Sequence, residues 1–143
     1  MGLQQRPSND ESAPQPPRLG VLLVEDNGAV CRFLQTLLPL HGFFVLTAGD
    51  RTQALDLLQD YRAALAVALV DVRLGVGADG FQVLAALRRL QPRLPCCLMS
   101  GDPNDGDPAT LQACGAARFF GKPLNLTELV EELRRVATAQ AIS

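Results

Sequence analysis

Five short apolar runs, parted by longer segments of helical period, set the main limit on what this chain can fold into. The runs are Leu19 to Val24, Phe43 to Ala48, Ala66 to Val70, Pro95 to Met99 and Ala117 to Phe120. Each is shorter than a stable helix and apolar enough to be a buried strand. Between the runs, apolar residues recur three or four positions apart. Val30, Phe33, Leu34, Leu37 and Leu38 make one stripe, and Ala54, Leu57, Leu58 and Tyr61 a second. Val83, Leu84, Leu87 and Leu90 make a third, and Leu126, Leu129, Val130, Leu133 and Val136 the last. Each stripe predicts an amphipathic helix facing the sheet. Strands alternating with helices in this rhythm build an α/β domain around a parallel sheet.

A length of 143 residues suits one domain with one core. Thirteen Lys and Arg against 15 Asp and Glu leave no basic surplus for phosphate backbones, so direct nucleic-acid binding is not expected. No apolar run approaches the ~20 residues of a membrane helix, and the first residues lack the pattern of a secretory signal. A soluble, cytoplasmic protein is the expectation. Residues 1–17, rich in Pro, Gln, Ser and charge, read as a disordered leader before a domain over residues 18–140. Four cysteines without a CxxC pair and a single histidine, His41, make a zinc centre an unsuitable reading. Cys96 and Cys97, inside an apolar run, read as reduced buried thiols. Gly42 is placed to end the first helix, and Asn125 with Glu128 to cap the last. From Gly101 to Gly115, Pro103, Gly106 and Pro108 break any long helix, which leaves a loop and a short helix from about Ala109 to Cys114.

The polar residues cluster where the strands end. Glu25 and Asp26 follow the first run, Asp71 the third, Ser100 the fourth and Lys122 the fifth. In an open parallel sheet these C-terminal ends border the crevice where ligands bind. Three carboxylates brought together repel one another, and a divalent cation is the natural compensation. Hard oxygen ligands suit Mg²⁺, which keeps several waters and accepts a phosphoryl oxygen as a further ligand. A carboxylate can itself be the nucleophile, forming an acyl phosphate when a metal and a lysine offset the charge. Asp71 is the best candidate because its strand should be central. Ser100 then supplies a hydrogen bond to a phosphoryl oxygen, and Lys122 a point charge.

With VEDN, LVDVRLG, LMSGD and FFGKPLN standing at four strand ends in order, the chain resembles the receiver domain of bacterial response regulators from Leu19 to about Ala137. The resemblance implies a flavodoxin-like, doubly wound five-stranded sheet of order 2-1-3-4-5. It also implies a phosphoryl-accepting switch in a two-component phosphorelay rather than a turnover enzyme. Asp71 would take the phosphoryl group from a sensor histidine kinase or a phosphotransfer protein. Glu25, Asp26, Asp71 and the backbone carbonyl of Arg73 would hold Mg²⁺. Ser100 would turn toward the phosphoryl group, and Phe119 would repack in concert. The output would be a changed surface on the fourth helix, fifth strand and fifth helix, offered to a downstream protein; pairing with a second copy stays open. The Lys122 to Pro123 bond is similar to one often cis in the family.

Two departures stand out. Gly75 occupies a position where the family usually has Pro, in a loop one residue longer than the commonest form. Phe119 lacks the hydroxyl of the tyrosine often found there. Two rival readings remain: an aspartyl-phosphate phosphohydrolase, disfavoured by Arg73 where that chemistry needs a second acid, and an unphosphorylated binding module of receiver-like fold.

Overall fold

The computed structural model describes residues 18–75 and 78–142; the leader assigned to residues 1–17 lies outside them. Strand β1 (Leu19–Val24) leads into helix α1 (Gly28–Leu37), then β2 (Phe43–Ala48), α2 (Arg51–Tyr61) and β3 (Leu65–Asp71). A two-stranded ribbon, β4 (Arg73–Leu74) with β5 (Ala78–Asp79), precedes α3 (Gly80–Leu90). The chain closes with β6 (Cys96–Ser100), α4 (Pro108–Cys114), β7 (Arg118–Gly121) and α5 (Leu126–Ile142). The main sheet is parallel and runs β2-β1-β3-β6-β7. Counted within that sheet alone, this is the expected order 2-1-3-4-5.

Alternation along the strands divides the core into two layers. Leu22 and Val24 of β1, Ala68 and Val70 of β3, and Cys96 and Leu98 of β6 face one side, against Ala54 and Leu58 of α2 and Val83, Leu84 and Leu87 of α3. Val21, Leu23, Val67, Leu69, Cys97 and Met99 face the other, against Leu34 of α1 and Leu129 and Leu133 of α5. Strands covered on both faces read as continuous apolar runs, which is why the sequence shows them so plainly. Two members of the predicted stripes do not face the sheet: Phe33 is 43% exposed and Tyr61 is 48% exposed. Each lies at the border of its apolar face, where periodicity gives a direction and not a width.

Local chemistry fixes the joints. Asn27 Oδ1 accepts from Ala29 N and Val30 N at the start of α1, and Asp50, Asp79, Asp107 and Asn125 each cap the helix that follows. The first helix tightens into a 3-10 turn over Leu38–His41, and Gly42 closes it at φ +90°. The β4–β5 ribbon was not foreseen: DVRLGVGADG carries no strand-length run, and the pairing of Arg73 with Asp79 and Leu74 with Ala78 is flanked by Gly80 N donating to Val72 O at 2.8 Å. There α3 starts so close to β3 that a Cβ on Gly80 would lie 2.2 Å from the Asp71 carbonyl oxygen. Only glycine admits that approach.

Candidate functional site

The winding of the sheet reverses between β1 and β3, which leaves a crevice above their C-terminal ends. Glu25 and Asp26 follow β1 and Asp71 ends β3, so the chain's course alone brings them together. Ligand oxygens of the three lie within 4.8 Å of one another. Lys122, just past β7, reaches across: Nζ lies 2.9 Å from Glu25 Oε1 and 3.4 Å from Asp71 Oδ2. The peptide bond from Lys122 to Pro123 is cis.

Burial is graded. Glu25 and Asp71 are 2% and 4% exposed, whereas Asp26 is open to solvent. Two carboxylates are buried side by side because an ammonium and backbone donors meet them. Asn27 N donates to Glu25 Oε2 at 3.1 Å, and Arg73 N to Asp71 Oδ1 at 3.3 Å. Gly75 N donates to Asp26 Oδ2 at 2.9 Å. A proline at position 75 has no such proton, so the departure noted there supplies the donor that holds Asp26. Burial pushes the Glu25 carboxyl above its usual range, only partly offset by Lys122. Burial draws the Lys122 ammonium down, but its hydrogen bond to Glu25 and the charge of Asp71 outweigh this and leave it above its ordinary value. Nearby, the Cys31 thiol donates to the Glu25 carbonyl, and burial followed by the charges of Glu25 and Asp26 raise its pKa.

Ser100 stands at the end of β6, 1% exposed, with its hydroxyl turned to the loop that follows. Oγ donates to Asp105 Oδ2 at 2.7 Å and accepts from Asp102 N at 3.0 Å. Arg73 contributes its backbone N–H to Asp71, while its guanidinium reaches Asp102 and Asp105 at 3.0 and 3.1 Å. Phe119 is half-buried on β7 against the α2/α3 layer, whereas Phe120 points into the opposite layer. Of the residues singled out from sequence, Glu25, Asp26, Asp71 and Lys122 form one cluster. Ser100 and Phe119 belong to its neighbour, the corner between β6 and α4. The roles of Asp102 and Asp105 were missed, and Gly75 stood out only as a departure, not as the donor to Asp26. The signal for Asp102 was present, since DPND is a turn opening in which the Asp side chain caps Asn104 N, as it does here at 3.0 Å.

Residues 21–134 match the family model of the response regulator receiver domain. The chain belongs to this family, the signalling modules of two-component systems. It is 33% identical over 116 residues to the transcriptional regulatory protein CpxR of Escherichia coli, covering 81% of this chain and 48% of that one. To PrrA of Mycobacterium tuberculosis it is 34% identical over 128 residues, covering 86% and 54%. The chain thus spans about half the length of these relatives. Among solved structures, the receiver domain of an HD domain-containing protein from Pseudomonas fluorescens is similar, with a TM-score of 0.78, 28% identity and 90% and 93% of the two chains covered. The chemotaxis protein CheY4 of Vibrio cholerae matches with a TM-score of 0.75 and 27% identity, over 83% and 98%. No helix among the described residues is long and apolar enough to cross a membrane.

Proposed function

We propose that residues 18–140 form a cytoplasmic phosphoryl-accepting switch in which Asp71 is the acceptor. The observation that carries this reading is the meeting of Glu25, Asp26 and Asp71 within 4.8 Å, with Lys122 in contact with two of them. The donor set is all hard carboxylate oxygen and one member is open to solvent, which fits Mg²⁺ with retained waters. Glu25, Asp26, Asp71 and the backbone carbonyl of Arg73 would hold the ion in this reading. Lys122 and Asn27 N each donate to a Glu25 oxygen and so fix its carboxylate beside the other two. When bound, the cation offsets charge on a phosphoryl group.

A carboxylate oxygen of Asp71 attacks the phosphorus of a phosphohistidine on a kinase or phosphotransfer protein. The P–O bond forms as the P–N bond breaks, and the imidazole nitrogen keeps the electron pair. Lys122 pairs with a phosphoryl oxygen, and the Ser100 hydroxyl donates to another. An apolar groove of about 360 Å³ beside the cluster, lined by Ala29, Val30, Phe33, Lys122, Pro123 and Leu124, gives the donor protein a seat. The readout is a changed surface on α4, β7 and α5, offered to a protein partner. The phosphohydrolase alternative needs an acid two residues beyond Asp71, where Arg73 stands with its side chain paired to Asp102 and Asp105.

The test is to incubate the protein with a small acyl phosphate, with and without Mg²⁺, and to weigh the intact chain. Wild type gains one phosphoryl group only with Mg²⁺, and Asp71→Asn gains none. An adduct that persists in Asp71→Asn would overturn the assignment, and sustained turnover of a phosphomonoester would favour the hydrolase.

A further inference from the structure

A serine hydroxyl has one proton to donate. In this structure Ser100 gives it to Asp105, at 2.7 Å, and the acceptor side chain is only 13% exposed. The same proton is the one Ser100 needs for a phosphoryl oxygen on Asp71, so the two bonds exclude each other. Asp105 is held in turn by Arg73, at 3.1 Å, which sits two residues beyond Asp71. Asp102, on the other side of the serine, presents its backbone N–H to Ser100 and its carboxylate to Arg73. The residue after Asp105 closes the circuit. Gly106 lies so flat against the ring of Phe119 that a Cβ there would be 2.4 Å from Cδ2. One 3-10 turn, Pro103–Gly106, therefore grips the serine with one residue and the ring with the next.

We infer that Asp105 is a positioning residue: with Arg73 as its charge partner it holds the Ser100 hydroxyl off the phosphoryl site, and through Gly106 it couples that hydroxyl to the Phe119 ring. Rotation of Ser100 toward a phosphoryl group strips Asp105 of its buried donor. The turn then loosens, and the ring loses the backbone it rests on. The inference rests on the proposed phosphoacceptor reading and adds to it the element that links the serine to the aromatic ring.

The test uses the whole chain, first without phosphodonor. Amide hydrogen exchange at Asp105 and Asp107, whose N–H groups bond within the turn, and the ring-flip rate of Phe119 by NMR are compared among variants. Asp105→Ala raises both by about tenfold, the order expected for loss of a charge-assisted bond, while exchange in α2 stays at the wild-type rate. Asp105→Asn, which keeps an acceptor oxygen for Ser100, restores most of the protection. Ser100→Ala matches Asp105→Ala, and the double variant is no worse than either single one. Phe119→Leu identifies the ring signal. With acyl phosphate and Mg²⁺, Asp105→Ala gains its adduct several-fold faster than wild type, and the gain vanishes on the Ser100→Ala background. Unchanged ring flips in Asp105→Ala, failure of Asn to rescue, or additive single effects would each overturn the coupling. A wild type that takes up no phosphoryl group would overturn the phosphoacceptor reading instead, and the exchange and ring-flip data would still decide the coupling.

Discussion

The acid cluster and the β6–α4 corner lie side by side at one edge of the sheet, yet they are held by different means. Glu25, Asp26 and Asp71 stand where they do because β1 and β3 are paired from Val21 to Val24 against Val67 to Val70 and sealed on both faces. Asp71 sits in the ladder opposite Met99 and Glu25 N donates to Ala48 O at 2.9 Å, so neither backbone shifts without breaking a sheet hydrogen bond, while the Asp26 side chain accepts from Gly75 N. Ser100, Asp102, Asp105 and Phe119 meet through side-chain bonds and a single turn of four residues. Chemistry needs fixed geometry, and a readout needs an arrangement that can be exchanged for another. The acids stand at or just past strand ends tied into the sheet, whereas Ser100 on β6 and Phe119 on β7 are linked through one turn.

The contrast breaks most severely at Gly80, which lets α3 start against the end of β3. In Gly80→Ala the new Cβ meets backbone at 2.2 Å, and nothing flexible can move aside. A loss of about 3 kcal/mol is expected, near the upper end for overpacking, or roughly 10 °C in the thermal midpoint. Because the clash falls on the Asp71 carbonyl, uptake of the phosphoryl group should fall with it. An alanine variant with wild-type melting would show that the β3 end yields to the added methyl group.

Alkaline pH probes the sealed strands next. Burial pushes the Cys96 and Cys97 thiols from 9.0 up to about 12. A folded pKa above the unfolded one means that stability is complete below pH 9 and lost as pH rises toward 12, at roughly 1.4 kcal/mol per unit for each thiol. Urea midpoints should therefore decline between pH 9 and 11, and Cys96→Ala should flatten that decline after its own cost at neutral pH. Lys122, also raised, adds loss at the upper end of the same range.

How far the sequence foretold all this follows the same divide. Strand ends were legible because apolar runs set the backbone, and the backbone delivers Glu25, Asp71 and Lys122 to one rim without help from loop detail. The short α4 was legible too, since Pro103 and Pro108 permit nothing longer. Asp105 was not, because its role depends on how a loop folds back over five residues to the serine that precedes it. Gly75 read as a departure from a family pattern; its meaning, a donor for Asp26, appears only once β4 and β5 are seen to pair. Phe33 and Tyr61 misled because a helical stripe does not show where its buried part ends.

Mg²⁺ should act on the cluster and leave the corner alone. At a concentration ten times its dissociation constant, a cation that binds only the folded chain stabilises it by about 1.4 kcal/mol, or roughly 5 °C. Calorimetry should show that shift in wild type and in Asp105→Ala alike, and lose it in Asp26→Asn. A shift of equal size in Asp26→Asn would place the cation elsewhere.

The smallest effect is expected at Arg73, and it separates charge from hydrogen bonding within the corner. Its side chain is 64% exposed, and such pairs contribute at most about 0.5 to 1 kcal/mol against solvent and salt. Arg73→Ala should therefore barely change the melting temperature. Yet Asp105, mostly buried, would keep Ser100 as its donor after losing its cation, so the serine would be held and the turn would stay shut. Chemical denaturation and Phe119 ring flips near wild type, with Asp105→Ala clearly different, would locate the grip in the hydroxyl-to-carboxylate bond. Equal loosening in both variants would mean that the ion pair, not the serine, is what the turn depends on.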